Sequence, residues 1–294
     1  MRFLMRATGR KALRFSTLLF FAFPAQAEPL KIATWNLNWL TQRPAGDHGV
    51  PKDVVPRGRA DFERLRAYAV QLDADVVALQ EVDGPEVAAR VFTPDRYALH
   101  FTHDRVAQRV GFAIRRTIKF RSNPDLVELD VNENGGRHLR SGADVTLLLK
   151  NAELRLLAVH LKSGCRDSSL ERSKRRECAV LSEQVAPLAG WVAQRQIEKL
   201  PFAVLGDFNR WMRPNDALFG ALAAPGPLAR PTEGTASPCW GSGQFIDHIL
   251  IGGLARAWLD ANSLRVLVYR ESDPAMKEKI SDHCPVSVRL NAPD

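Results

Sequence analysis

An α/β fold with sizeable sheets is what this sequence predicts, on three observations. Apolar runs of strand length recur from residue 30 to the C-terminus, and each ends in polar residues. Helical spacing over residues 61–73, and a long helical segment over about residues 169–199, interrupt these runs. No internal repeat, low-complexity tract or Pro/Gly/Ser-rich linker divides residues 28–294, so one domain is expected there.

The first 27 residues stand apart. Arg2, Arg6, Arg10, Lys11 and Arg14 form a basic head, residues 15–27 a short apolar core, and Ala25-Gln26-Ala27 a small-x-small ending. That is the pattern of a secretory signal peptide cleaved before Glu28. The apolar core is short for a bilayer span, so no stable membrane anchor is expected. The mature protein is then periplasmic or secreted. The leader also carries most of the charge. The chain has 41 Lys+Arg against 33 Asp+Glu, and without the leader's five basic residues the balance is 36 against 33. What survives is local, in residues 114–121 (IRRTIKFR) and 171–177 (ERSKRRE), each a solvated face or a polyanion contact.

The mature elements follow in order. LKIATWNLN (residues 30–38) alternates and ends in two Asn, and a polar loop covers residues 43–59. Phe62, Leu65, Ala69 and Leu72 then mark an amphipathic helix. ADVVALQEVDG is a buried strand tipped by Gln80 and Glu81. RVGFAIRR and ADVTLLLK are further strands, and LRLLAVHLKSG ends at His160. After the long helix, PFAVLGDFN runs into Asp207 and Asn209, and FIDHILIGG and CPVSVRL complete the set. Residues 221–243 read as a long ordered loop at one rim, because long loops in compact domains are usually functional.

Four cysteines suit an oxidising compartment and allow three pairings. Cys165 and Cys178 flank one polar loop and would close a short ring, which favours that bridge and leaves Cys239–Cys284. The paired CxxC spacing of a zinc site is missing.

The residues that end the apolar runs are Asn36, Glu81, His160, Asp207 with Asn209, Asp247 with His248, and Asp282 with His283. Any one alone reads as a turn residue. Turn chemistry does not select His and Glu, so together they describe a polar pocket at one sheet edge. Buried charge there needs a partner or a metal. Strand alternation turns His248 away from Asp247, which makes it structural, and puts Trp35 in the core.

TWNLN, ALQEVD, AVHLKSG, LGDFN, FIDHIL and SDHCPV, in this order, resemble the endonuclease/exonuclease/phosphatase superfamily, in its deoxyribonuclease and sphingomyelinase branch. The resemblance covers nearly the whole mature chain. It implies a four-layer α/β/β/α sandwich of two packed mixed sheets with outer helices. It implies Glu81 as principal metal ligand, with Asn36 beside it and Asp282 sharing the ion. That ion is expected to be Mg²⁺, with Mn²⁺ the alternative.

The same resemblance assigns further roles. His283 and Asp247 form a dyad in which the carboxylate holds the imidazole tautomer. Asp207 orients or deprotonates the attacking water, Asn209 donates to a phosphoryl oxygen, and His160 donates to a phosphoryl or leaving oxygen. Asn36 is also a substrate contact. Gln108 stands where some members carry a carboxylate supporting His160, so a lowered His160 pKa is expected. Asn38 stands where some nucleases have Asp. Lys162 and Arg210 are expected phosphate contacts, and Trp211 and Trp240 candidate base-stacking platforms.

The expectation is a monomeric, metal-dependent phosphodiesterase, exported and acting on DNA, with RNA next, and without a protein partner. A phospholipid or sphingomyelin phosphodiesterase is the second reading; it would want an exposed apolar hairpin, for which residues 217–229 are the candidate. A phosphomonoesterase is the third. A binding module that lost catalysis would lack Glu81, Asp207 or His283, and all three are present.

Overall fold

The computed structural model describes residues 28–131 and 138–293, so the expected leader over residues 1–27 lies outside the described residues. Along the chain, β1 (Leu30–Leu40) is followed by α1 (Arg59–Leu72), β2 (Val76–Val82), the short α2 (Pro85–Ala88), β3 (Tyr97–Phe101) and β4 (Arg109–Arg115). Then come β5 (Lys119–Ser122), β6 (Ala143–Leu148), β7 (Glu153–His160) and α3 (Arg176–Ile197). β8 (Phe202–Asp207), α4 (Ala217–Ala223), β9 (Asp247–Gly252), β10 (Arg265–Val266) and β11 (Val286–Leu290) close the order.

The strands make two mixed sheets, ordered β10-β11-β1-β2-β4-β3 and β5-β6-β7-β8-β9. Each sheet holds one parallel pair, β1 with β2 and β7 with β8, among antiparallel neighbours. The sheets pack face to face through alternate residues. Ile32, Val76, Ala78 and Phe112 meet Leu156, Ala158, Ala203, Leu205 and Ile249 in one buried cluster. The opposite parity of β1 and β2 (Ala33, Trp35, Val77, Leu79) packs with Phe62, Leu65 and Leu72 of α1. The opposite parity of the second sheet (Leu157, Val159, Val204, Leu250) packs with Leu181, Leu188, Leu218 and Leu222 of α3 and α4. Helix, sheet, sheet, helix is the four-layer sandwich expected, and burial of these apolar faces is what holds it together.

Several elements depart from the sequence reading. α3 starts at Arg176, not near Ser169. Residues 161–175 are a loop instead, shaped by Ser169 Oγ accepting from Arg172 N, Ser173 Oγ accepting from Arg175 N, and the Cys165–Cys178 disulfide. The start of the expected 221–243 loop is helical, in α4, with Asp216 as N-cap. The apolar hairpin candidate at residues 217–229 therefore spends Leu218 and Leu222 on the core. The basic run at residues 114–121 joins β4 to β5, and two of its four basic residues are paired: Arg115 with Asp73 and Asp75, and Arg121 with Glu153. Both expected disulfides are present, Cys165–Cys178 and Cys239–Cys284.

Candidate active site

Where a strand stops decides what it offers. In β1 the inward parity runs Ile32, Thr34, Asn36; in β7 it runs Leu156, Ala158, His160; in β8, Ala203, Leu205, Asp207; in β9 it begins at Asp247 before Ile249. The two parallel pairs bring their C-terminal ends to the same rim, with His160 opposite Asp207 and Asp207 opposite Asp247 in register. The apolar sandwich thus ends in a polar floor made from both sheets.

Glu81 reaches this floor by a different device. Alternation from Val77 and Leu79 would turn it outward, toward α1. The pairing registers of β1 and β2 both shift here, between Asn36 and Leu40 and between Leu79 and Val82. Glu81 itself takes a left-handed φ of 59°, with Asn38 at 43° and Trp39 at 53° on the neighbouring strand. A bulge re-aims a side chain, and non-glycine residues held at positive φ cluster at functional sites.

The polar atoms converge. Asn36 Nδ2 donates to Glu81 Oε1 at 3.1 Å and to Asp207 Oδ2 at 3.0 Å, bridging the two sheets. Glu81 Oε2 accepts from Trp39 N at 3.1 Å and Gln108 Nε2 at 2.5 Å. His160 Nε2 lies 3.6 Å from both Glu81 Oε1 and Asp207 Oδ2. His283 Nδ1 is 2.8 Å from Asp247 Oδ2, and its Nε2 points toward Asp207 Oδ2 at 3.9 Å. Gly206 is required where β8 closes on β7, since a Cβ there would stand 2.0 Å from Val159 O.

Burial sets the protonation states. Asp207 is raised to about 7, by desolvation first and by the Asp247 and Glu81 charges, against the pull of His283 and the Asn209 N–H. Burial opposes the charged form of His283, but Asp247, Asp207 and Asp282 outweigh it and push its pKa well above the ordinary value. His160 goes the other way, well below, from burial and then the positive charges of Arg140 and His283.

Among the described residues, two groups of three could hold a cation: Glu81, His160 and Asp207, and Asp207, Asp247 and His283, each with its ligand atoms within 4.8 Å. The donor set fits a hard divalent ion. Glu81 and Asp207 are brought together around the amide of Asn36 and the Nε2 of His160, and Asp247 Oδ1 is buried without a partner. Carboxylates gathered this closely are what Mg²⁺ neutralises.

Most of the expected residues are brought together, and several roles change. Asp282 stands outside both groups, exposed, with Oδ1 3.8 Å from His283 Nε2, so it is not placed to share an ion with Glu81. Gln108 supports Glu81, not His160, whose buried Nδ1 has no partner. The lowered His160 pKa therefore follows from burial and neighbouring cations. Asn209 spends its amide on Leu161 O and Asp207 Oδ2, both at 3.1 Å, and holds Asp207 rather than reaching outward. Arg210 is no phosphate contact: it is buried, with Nε on Asp216 and Nη1 on the Cys165 and Ser168 carbonyls. Lys162 is half-buried two residues after His160, its N–H held by Gln184 Oε1.

Of the tryptophans, Trp35 is fully buried on Tyr269 OH. Trp240 packs by Tyr269, its Nε1 on Ser281 O. Trp211 lines a cavity of about 380 Å³ with Arg213, Thr232 and Phe245. His248 is structural, between Thr232 and Arg210 O.

Sequence reasoning missed three residues. Ser281 Oγ donates to Asn36 O and accepts from His283 N, tying the two corners of the site. Buried Arg57 donates to the carbonyls of Leu37 and Ile280 and so clamps the same two corners. Arg140 is close enough to Glu81 and Asp207 to feel both charges, and its Nε is buried without a partner. Ser281 lies in the SDH motif, while Arg57 and Arg140 carry no signal beyond charge.

The Endonuclease/Exonuclease/phosphatase family profile matches residues 33–283. No curated protein sequence matches the chain. Among solved structures, a 3' phosphatase, NExo from Neisseria, bound to product DNA hairpin, has a TM-score of 0.57 at 17% identity, covering 89% of this chain and 99% of its own. TDP2 of D. rerio, complexed with single strand DNA product, has a TM-score of 0.54 at 16% identity, covering 90% of this chain and 100% of its own. The human Nocturnin catalytic domain, with bound sulfate anion, has a TM-score of 0.54 at 15% identity, covering 89% of this chain and 93% of its own. At these identities the likeness is one of fold.

Proposed function

The chain belongs to the endonuclease/exonuclease/phosphatase family, and on that premise we propose that it is an exported, metal-dependent phosphodiesterase whose substrate is DNA, with RNA second. The observation that carries the reading is the meeting of Asn36, Glu81, His160, Asp207, Asp247 and His283 at one rim. A bound Mg²⁺ would be held by Glu81 and Asp207 and would supply charge neutralisation at the phosphoryl oxygens. The chain's own residues do the rest. Asp207, hydrogen-bonded to Asn36 at the rim, orients or deprotonates the attacking water. Asn36 and Asn209 fix the direction of its carboxylate. Asp247 orients His283, which stays charged and sets its Nε2–H against the phosphate. Neutral His160, its Nε2 3.6 Å from Asp207 Oδ2, donates to a phosphoryl or leaving oxygen.

DNA is preferred to lipid for two reasons. The apolar segment that a lipid phosphodiesterase would insert is turned into the core through Leu218 and Leu222. Two of the solved neighbours are held with DNA products. Export fits the two disulfides, which persist in oxidising compartments. The test is hydrolysis of plasmid DNA and of sphingomyelin side by side, in Mg²⁺ and in EDTA. EDTA-sensitive plasmid cleavage with intact lipid supports the reading, and cleaved lipid with intact plasmid overturns the substrate.

A further inference from the structure

Residues 162–177 carry six basic side chains against three acidic ones, a surplus of three. That equals the surplus of residues 28–294 as a whole, where the balance is 36 against 33. The charge sits beside the catalytic rim, since the segment leaves β7 directly after His160.

The segment is also held rigidly from beneath. Cys165–Cys178 closes it, Trp211 N donates to Arg166 O at 2.9 Å, and Gln184 holds Lys162 N. Buried Arg210, three residues past Asp207, binds the Cys165 and Ser168 carbonyls at 2.8 Å each. Leu170 packs inward, and none of the exposed large apolar residues lies in the segment. Of its charged side chains, Arg166, Arg172, Lys174, Arg175 and Arg176 face solvent on the basic side, against Asp167, which lies 3.9 Å from Arg213, and Glu171 on the acidic side. Arg166, Arg172 and Lys174 enter no ion pair among the described residues, and Arg175 meets Glu177 at 3.8 Å in an exposed pair. Such a pair is weak and easily exchanged.

We infer that this disulfide-closed loop is a second contact surface for nucleic acid, gripping the phosphate backbone beyond the scissile bond through Arg166, Arg172, Lys174 and Arg175. The inference rests on the proposed function and extends it to how a long substrate is held. Cations on a preformed loop release counterions from a polyanion without the cost of ordering the loop's backbone. An anionic membrane is the rival partner, but the loop has no exposed apolar side chain to insert.

The test is equilibrium binding of a fluorescein-labelled DNA duplex in EDTA, where turnover does not interfere. The triple variant Arg172→Gln, Lys174→Gln, Arg175→Gln is compared with wild type. The control variant Lys150→Gln, Lys199→Gln, Arg256→Gln removes equal charge from the far end of the strands. The loop variant is expected to bind at least tenfold more weakly at 0.15 M salt. Its log–log salt slope should flatten by about 2 to 3, at roughly 0.9 for each phosphate no longer neutralised. The control should bind as wild type, and the loop variant should hydrolyse bis(p-nitrophenyl) phosphate at the wild-type rate. Unchanged duplex affinity in the loop variant, an equal loss in the control, or binding to phosphatidylserine vesicles in place of duplex would overturn the inference. Wild-type protein that binds duplex but leaves it uncut would instead overturn the proposed function, with the loop assignment intact.

Discussion

Asp247 Oδ2 lies 2.8 Å from His283 Nδ1, joining the first residue of β9 to the corner that precedes β11. The bond aims the other ring nitrogen at Asp207, 3.9 Å away. The carboxylate orients the ring and favours its charged form. Asp247→Asn is therefore predicted to lower kcat by about 10² to 10⁴, the usual span of acid–base assistance. Far-UV circular dichroism should be unchanged. A variant with near wild-type kcat would remove the dyad from the account.

Glu81 is held at a left-handed φ by hydrogen bonds from Asn36, Trp39 and Gln108. Replacing it with Gln removes one of the clustered negative charges and keeps the shape. The metal concentration for half-maximal activity is predicted to rise about tenfold or more. Titration of activity with Mg²⁺ reads this directly, and an unchanged midpoint would exclude Glu81 as a ligand.

Stability should depend on pH with a defined sign. The folded pKa of Asp207, about 7, exceeds its ordinary 3.8, so the folded state holds that proton longer and loses stability as pH rises from about 4 to 7. His160 and His248 are lowered, the latter to about 4, and these terms add stability up to about pH 6.5 and then level off. His283 is raised, and its contribution is lost as pH climbs above 6.5 through the folded value. Below pH 6.5 the terms oppose, and above it those that remain all fall. Thermal unfolding in EDTA is predicted to give a Tm that declines steadily above about pH 6.5. Mg²⁺ should reduce that decline by favouring ionised Asp207. A Tm that rises from pH 7 to 9 in EDTA would contradict these assignments.

Arg210 and Asp216 form a buried pair whose side chains are 4% and 6% exposed. Breaking such a pair strands a charge, at about 3–5 kcal/mol. Arg210→Met is predicted to lower stability in denaturant titrations by that order and to loosen the 162–177 loop. Its KM for bis(p-nitrophenyl) phosphate should stay close to wild type. A raised KM in a fully folded Arg210→Met protein would restore Arg210 as a phosphate contact.

The strand ends are legible in the sequence because alternation is a strict rule. It places Trp35 and His248 away from the pocket and Asn36 and Asp247 in it, as found. It cannot place Glu81, whose inward aim depends on two register shifts and a positive φ that leave no composition signal. Arg210 escapes it for a related reason. A guanidinium beside GDFN looks outward-facing until the Cys165 loop is folded over it, and that contact spans 45 residues. The stretch from Ser169 to Arg175 has helical spacing, but its Ser-mediated turns and the disulfide override helical propensity. Gln108 reaches Glu81 rather than His160 because the bulge at Glu81 brings that carboxylate within its range first.

The most direct measurement is nicking of supercoiled plasmid by purified residues 28–294, wild type and His283→Ala, in Mg²⁺ and in EDTA. The account predicts nicking by wild type that EDTA abolishes and that His283→Ala lacks at equal folded concentration. Nicking that survives EDTA, or that His283→Ala retains, would contradict it.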